Sequence, residues 1–193
     1  MPSRRPSSRR RSASEPSPGS LADLQAEADP HAAARGIALR RLTAAPRTAA
    51  DLRADLLARG VETHVADDVV GRFTEVGLVD DAAYAAMWVN SRSRTRGSAR
   101  GRLRQELRGK GIAEAVIEEA LTAVDDAGEW ERGRALVEGR LRTMTGLAPE
   151  ARNRRLTALL MRRGYPGAVA QRIVRSVLSD DGGLHLDNVQ IAD

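Results

Sequence analysis

Cysteine is absent from this sequence, so disulfides, thiolate metal sites and a disulfide-stapled secreted scaffold are all excluded. Aromatic residues number five in 193, namely Phe73, Tyr84, Trp88, Trp130 and Tyr165, so a core must be assembled from Leu, Val, Ile and Ala. Strand-favouring β-branched and aromatic residues are sparse and helix-favouring Ala and Leu abundant, which points to an all-α class. No apolar run approaches the roughly 18 residues of a membrane span, and no apolar segment follows the basic N-terminus as a secretory signal requires. The expectation is a cytoplasmic protein without a membrane partner. Lysine is nearly missing too: Lys110 is alone among 31 basic residues, the rest being arginine.

The charge is uneven. Of a formal net +5, the first twenty residues carry +4 (five arginines against Glu15), and Arg92 to Gly111, "RSRTRGSARGRLRQELRGKG", carries +7 (eight bases against Glu106). The remainder is therefore −6, a mildly acidic body with two basic features. Residues 1–30 form a Ser/Arg/Pro-rich tail expected to be disordered, because such a composition buries too little apolar surface to offset its ordering entropy. Residues 180–193 are polar and expected to fray.

Between these ends the chain repeats. "LRADLLARGVETHVADDVV", "LRQELRGKGIAEAVIEEAL" and "LTALLMRRGYPGAVAQRIV" align on Gly60, Gly111 and Gly164. Leucines stand eight residues before each glycine (Leu52, Leu103, Leu156) and four before it (Leu56, Leu107, Leu160). A bulky residue follows each glycine (Val61, Ile112, Tyr165), a valine lies five after (Val65, Val116, Val169), and an apolar residue ten after (Val70, Leu121, Val174). Leucines four apart share one helical face. The glycine sits where a helix ends in the left-handed conformation, and the preceding base (Arg59, Lys110, Arg163) suits the negative end of the helix dipole. A further helix precedes each pair: "AAARGIALRRLT", "DDAAYAAMWVNSR" with Tyr84, Met87 and Trp88 inward, and "EWERGRALVEGRLRTM". The architecture predicted is three tandem three-helix repeats (31–79, 80–127, 128–179) forming an elongated, curved helical array.

Chemistry is harder to find. "GKGIAE" resembles the start of a dinucleotide-binding loop, but Glu114 stands where the last glycine belongs and no strand precedes it, so it reads as a helix stop. His31, His64 and His185 lack ligand spacing. The pairs Asp80–Asp81 and Asp125–Asp126 lie between units, where helix caps and first-turn acids are favoured. "TAAD" at Thr48 has the form of a capping box. No metal, cofactor or catalytic residue is indicated, and an enzyme is not expected.

The basic stretch remains. On a helix capped by Ser98, Ala99, Leu103 and Leu107 form the apolar line and Arg100, Arg104 and Arg108 a second line beside it, facing solvent or a partner. Arg92, Arg94, Arg96, Arg102 and Lys110 add charge, and Glu106 alone can pair locally, the acids Glu114, Glu118 and Glu119 being placed to point away. Like charges four apart repel, and the other copies are less basic, so the patch reads as a surface for a polyanion: nucleic-acid phosphates or an acidic protein face.

"GLVDDAAYAAMWVNSRSRTRGSARGRLRQELRGKGI" resembles the middle of RecX, the bacterial regulatory family that modulates the RecA recombinase. "ALRRLTAAPRTAADLRADLLARGV" looks like that family's first unit and "LTALLMRRGY" its third, so the resemblance covers roughly residues 35 to 178. The basic N-terminal tail departs from it. The resemblance implies a non-enzyme that binds RecA filaments on single-stranded DNA and suppresses their ATP hydrolysis, strand exchange and coprotease activity, with a place in recombination, DNA repair and the SOS response; a monomer is expected. It supplies no catalytic residues; the candidate interface remains the eight bases from Arg92 to Lys110. An autonomous DNA-binding helical module is the alternative.

Overall fold

The computed structural model describes residues 29–187. The expected N-terminal tail lies outside them apart from Asp29 and Pro30, which cap and open the first helix. The described chain is helical throughout, with no strand among the described residues. The first unit comprises α1 (Pro30–Ala44), α2 (Ala49–Leu57) and α3 (Thr63–Glu75); the second, α4 (Asp81–Arg96), α5 (Arg100–Gly109) and α6 (Glu114–Leu121); the third, α7 (Asp126–Leu141), α8 (Pro149–Arg162) and α9 (Gly167–Asp187). The third unit therefore runs past residue 179 as helix, where fraying was expected. Arg134 reaches from α7 to the Asp180 carboxylate at 2.9 Å, at the start of this extension, and residues 188–193 lie outside the described residues.

Each unit has its own core. The six repeat leucines are fully buried, two per unit, at the centres of three separate apolar clusters. The middle helix of every unit ends in the same way. The glycine N–H donates to the carbonyl three residues back (Gly60 to Leu57, Gly111 to Arg108, Gly164 to Met161), and the next N–H donates to the second repeat leucine (Val61 to Leu56, Ile112 to Leu107, Tyr165 to Leu160). This double bond pattern is the Schellman stop, which brings the residue after glycine onto the leucine it bonds. It accounts for the bulky residue at that position: Ile112 and Tyr165 are buried. The glycines have φ of 81°, 74° and 89°, a region costly for a residue with a side chain.

The glycine turn also joins neighbouring units, by one rule applied twice. The Lys110–Gly111 turn of the second unit sits on the start of α2, where the Thr48 hydroxyl donates to the Lys110 carbonyl at 2.9 Å. The Arg163–Gly164 turn of the third unit sits on the start of α5, where the Ala99 N–H donates to the Arg163 carbonyl at 2.8 Å. Beside each turn, the first free N–H of the middle helix finds a carboxylate of the following unit's first helix: Ala49 donates to Asp81 at 2.9 Å and Arg100 to Glu129 at 3.0 Å. Helix starts have unsatisfied N–H groups, and the next unit satisfies them here. The approach is close enough to forbid side chains. A Cβ on Gly101 would lie 2.6 Å from the Gly164 carbonyl oxygen, and one on Gly164 would overlap the Arg102 backbone nitrogen.

Tyr165 adds a side-chain bond across the third unit, its hydroxyl donating to the Glu129 carbonyl at 3.1 Å; burial, chiefly, pushes its phenol up to about 12.

Gly60 and Gly164 share a left-handed φ, but only Gly164 is pressed against a neighbouring unit; nothing lies within 4 Å of a Cβ at Gly60. Gly60→Ala should therefore cost only the conformational term, about 1–2 kcal/mol. Gly164→Ala should cost clearly more, because the joint must open as well. Urea unfolding of the two variants in parallel checks this; equal losses would show that the joint does not depend on close approach.

Candidate nucleoprotein interface

The basic stretch spans the last turn of α4, the connection and α5. Ser98 is buried but is not the cap of α5; Ala99 takes that position, its methyl offering no cap bond and its backbone N–H being engaged by the third unit's turn. Asp80 and Asp125 do cap their helices, accepting from Ala83 at 2.8 Å and Gly128 at 2.6 Å. In "TAAD", Thr48 accepts from the Asp51 N–H at 3.1 Å, while the Asp51 carboxylate turns instead to Lys110 at 2.8 Å. The capping box is thus half formed, and its acid ties the first unit to the second.

The line Arg100, Arg104, Arg108 differs most from expectation. Two of the three acids of α6, Glu114 and Glu118, point back toward α5, while Glu119 is exposed. Arg104 grips Glu118 through two bonds of 2.7 and 3.0 Å, and Arg108 grips Glu114 through two of 2.7 Å. Such forked pairs are the strong form of the arginine–carboxylate contact. Arg100 is held by Asp126 and the Val124 carbonyl. Arg102 bonds Glu106 at 2.9 Å, and Glu106 also accepts from the Trp88 indole at 2.9 Å. Arg92 lies over the Trp88 ring, 4.3 Å from its centroid, and 4.0 Å from Glu106.

The repeat explains why these acids turn inward. Arg104 and Glu118 stand seven residues either side of Gly111. The same offsets from Gly60 give Arg53 and Asp67, which form the same bridge between α2 and α3, with a bond of 2.5 Å. Arg104 thus belongs to the repeat scaffold, and the first copy shares it. Of the eight candidate bases, Arg94 and Arg96 are the two with no carboxylate partner among the described residues; both are exposed at the end of α4.

Other arginines join them. From Pro149 to Ser179 there are seven arginines and one acid, Glu150. The ion pairs of the third unit's arginines among the described residues are those of Arg134 alone, on α7. Sequence inspection for the densest run of bases passes over this segment, whereas counting bases against acids within each helix pair finds it. Across the joint between the second and third units, Arg162 and Arg163 meet Arg96 and Arg102 in a cleft of about 530 Å³ that also holds Thr95, Ser98 and one carboxylate, Glu106, the partner of Arg102. Arg163 is fixed there by donating to the Arg96 carbonyl.

No cluster of His, Asp or Glu suited to a metal occurs among the described residues, and no described helix is long and apolar enough to cross a membrane.

The forked pairs carry a pH dependence. The Arg108 guanidinium holds the Glu114 carboxyl below its ordinary value, and Arg53 does the same to Asp67. A depressed carboxylate contributes stability above its unfolded value, about pH 4, and that contribution is lost as pH falls through the lower folded value. The urea midpoint of the wild type should fall as pH drops from about 5 to about 3, and the fall should be shallower in Arg108→Gln. Parallel slopes for the two proteins would remove the pair's contribution.

Comparison with known proteins matches the three units in order. Family models described as the first, second and third three-helix domains of RecX match residues 34–73, 80–121 and 127–174. The chain is 44% identical over 154 residues to the regulatory protein RecX of Streptomyces coelicolor, covering 80% of this chain and 82% of that protein. It is 44% identical over 154 residues to that of Thermobifida fusca (80% and 83%), and 39% identical over 183 residues to that of Mycolicibacterium smegmatis (91% and 96%). The crystal structure of RecX from Lactobacillus salivarius superposes with a TM-score of 0.70 at 19% identity, covering 78% of this chain and 97% of that one, which speaks for the fold. A second crystal structure of a regulatory protein RecX gives 0.70 at 27% identity, covering 79% and 75%. Three units matched in order, with relatives aligned over most of their length, place this chain in the RecX family of regulatory proteins.

Proposed function

We propose that this chain regulates the RecA recombinase by binding its filament on single-stranded DNA, lowering ATP hydrolysis, strand exchange and coprotease activity. Family membership supports a regulatory role, and the recombinase as partner follows from what the family resemblance implies. The observation that carries the nucleic-acid side of the reading is the inter-unit cleft of Arg96, Arg102, Arg162 and Arg163. Arg96, Arg162 and Arg163 form no ion pair among the described residues and are free to exchange counterions for phosphates, whereas Arg102 is paired with Glu106, which also lines the cleft. No aromatic ring lines the cleft, so contact is with the backbone and not through base stacking.

Among the candidate bases, Arg94 and Arg96 then take the interface role. Arg92, Arg100, Arg102, Arg104, Arg108 and Lys110 act chiefly by holding the scaffold that presents them. The same cleft favours a second reading, an autonomous DNA-binding module acting without a protein partner. That reading expects tight, steeply salt-dependent binding to single-stranded DNA by the isolated protein, whereas the regulator gains most of its affinity only when recombinase coats the DNA.

The triple variant Arg94→Gln, Arg96→Gln, Arg162→Gln should keep wild-type helicity and lose filament inhibition by about tenfold or more in protein concentration, from three lost phosphate contacts. ATP hydrolysis by the recombinase on single-stranded DNA, measured against added protein, reads this out. A well-folded triple variant that inhibits like the wild type would sink the cleft as the contact. Wild-type protein that binds naked DNA as tightly as the filament would favour the second reading.

A further inference from the structure

At each joint, the start of a unit's middle helix is covered by the following unit, and the covering element is acidic. Ala49 of α2 meets Asp81, and Arg100 of α5 meets Asp126 and Glu129. The repeat register carries these positions into the third unit. Three residues before the first repeat leucine stand Ala49, Arg100 and Asn153; two before it, Ala50, Gly101 and Arg154. The bridging arginines Arg53 and Arg104 correspond to Thr157, and their acids Asp67 and Glu118 to Gln171. Among the described residues, the third unit therefore has neither a covering unit nor the bridge that fills the space between the second and third helices of the other two.

What remains is an open groove of about 790 Å³ between α8 and α9, lined by Asn153, Arg154, Thr157, Met161, Gln171 and Arg175. Met161 is 55% exposed, the most exposed large apolar side chain among the described residues. Arg154 and Arg175 are exposed and form no ion pair among the described residues; Glu150 is the one carboxylate on the rim. An exposed apolar side chain within a basic rim has the composition of a contact surface.

We infer that this groove is the array's vacant joint, and that it docks a protein segment whose helix opens with carboxylates, as Asp81 and Asp126–Glu129 open theirs, and carries an apolar side chain onto Met161. Charge complementarity and continuity with the two occupied joints set the occupant. At those joints the acid meets free N–H groups. Here α8 begins a turn earlier, at Pro149, and Arg152 already donates to the Ala148 carbonyl. The N–H groups at the matching positions are consumed by the helix, and Arg154 supplies the positive charge in their place. This closes the groove to a further copy of the intramolecular joint and leaves it to an external acidic helix. A partner seated here also lies along the continuation of the array from the arginine cleft, so protein and DNA contacts fall on separate surfaces of one unit.

The inference rests on the recombinase filament being the partner, and the test separates the two. Full-length wild type, Arg154→Glu/Arg175→Glu and the control Arg155→Glu are titrated onto recombinase filaments on single-stranded DNA and onto the DNA alone. In parallel, a benzoylphenylalanine photocrosslinker replaces Met161. The double variant should bind filaments about tenfold or more weakly, the loss expected for reversing charges across an interface, while Arg155→Glu stays near wild type. The crosslink should map to a helix start bearing Asp or Glu on the recombinase. Wild-type binding to filaments that the double variant retains in full overturns the groove while leaving the regulator reading intact. A crosslink to DNA or to a second copy of this chain, or none in a complex that forms, overturns it equally. Wild type that does not bind filaments at all refutes the regulator reading, and the groove's occupant with it.

Discussion

The structure depends on one contact made twice: a glycine turn pressed onto the first residues of a neighbouring helix. A helix start presents N–H groups that must find acceptors; here a carboxylate on the next unit's first helix accepts from the first of them, and that unit's turn carbonyl accepts from the Thr48 hydroxyl at one joint and the Ala99 N–H at the other. The contact needs backbone against backbone, which is why Gly101 faces Gly164 and Gly111 rests on Ala50. Each unit of about fifty residues buries only a small cluster of Leu, Val and Ile. Such a unit gains stability from its neighbours, in the nearest-neighbour manner of repeat proteins.

Much of this was legible in the sequence because it depends on local rules. The leucine pairs, the glycine stop and the bulky residue after it follow from helix geometry within a dozen residues, and all six leucines are buried as the spacing requires. Asp80 and Asp125 behave as caps for the same reason. Met87, placed inward by the same periodicity, is 46% exposed; Tyr84 and Val89 are buried on the inward side of α4 in its place.

The arginines were less legible, because their meaning depends on where the following helix places its acids. A run of eight bases is conspicuous in one dimension. In three, α6 returns Glu114 and Glu118 to α5, and the charge of that line is spent internally. The repeat offsets contained a clue, since Arg53 and Asp67 stand where Arg104 and Glu118 do. In the third unit, where Thr157 and Gln171 replace that pair, the arginines of α8 and α9 form no ion pair among the described residues, without ever forming a comparable run. Function in this family member is thus best sought where the repeat is broken, at the cleft and groove of the third unit, and not where charge is densest.

The early start of α8 has a consequence for how such an array can change in length. A duplicated unit spliced between existing units meets the joint it needs, because the middle helices of the first two units start where a following unit's turn and carboxylate can seat. After the third unit the same joint does not form as it stands, since α8 begins a turn earlier, at Pro149, and the matching N–H groups already lie inside the helix.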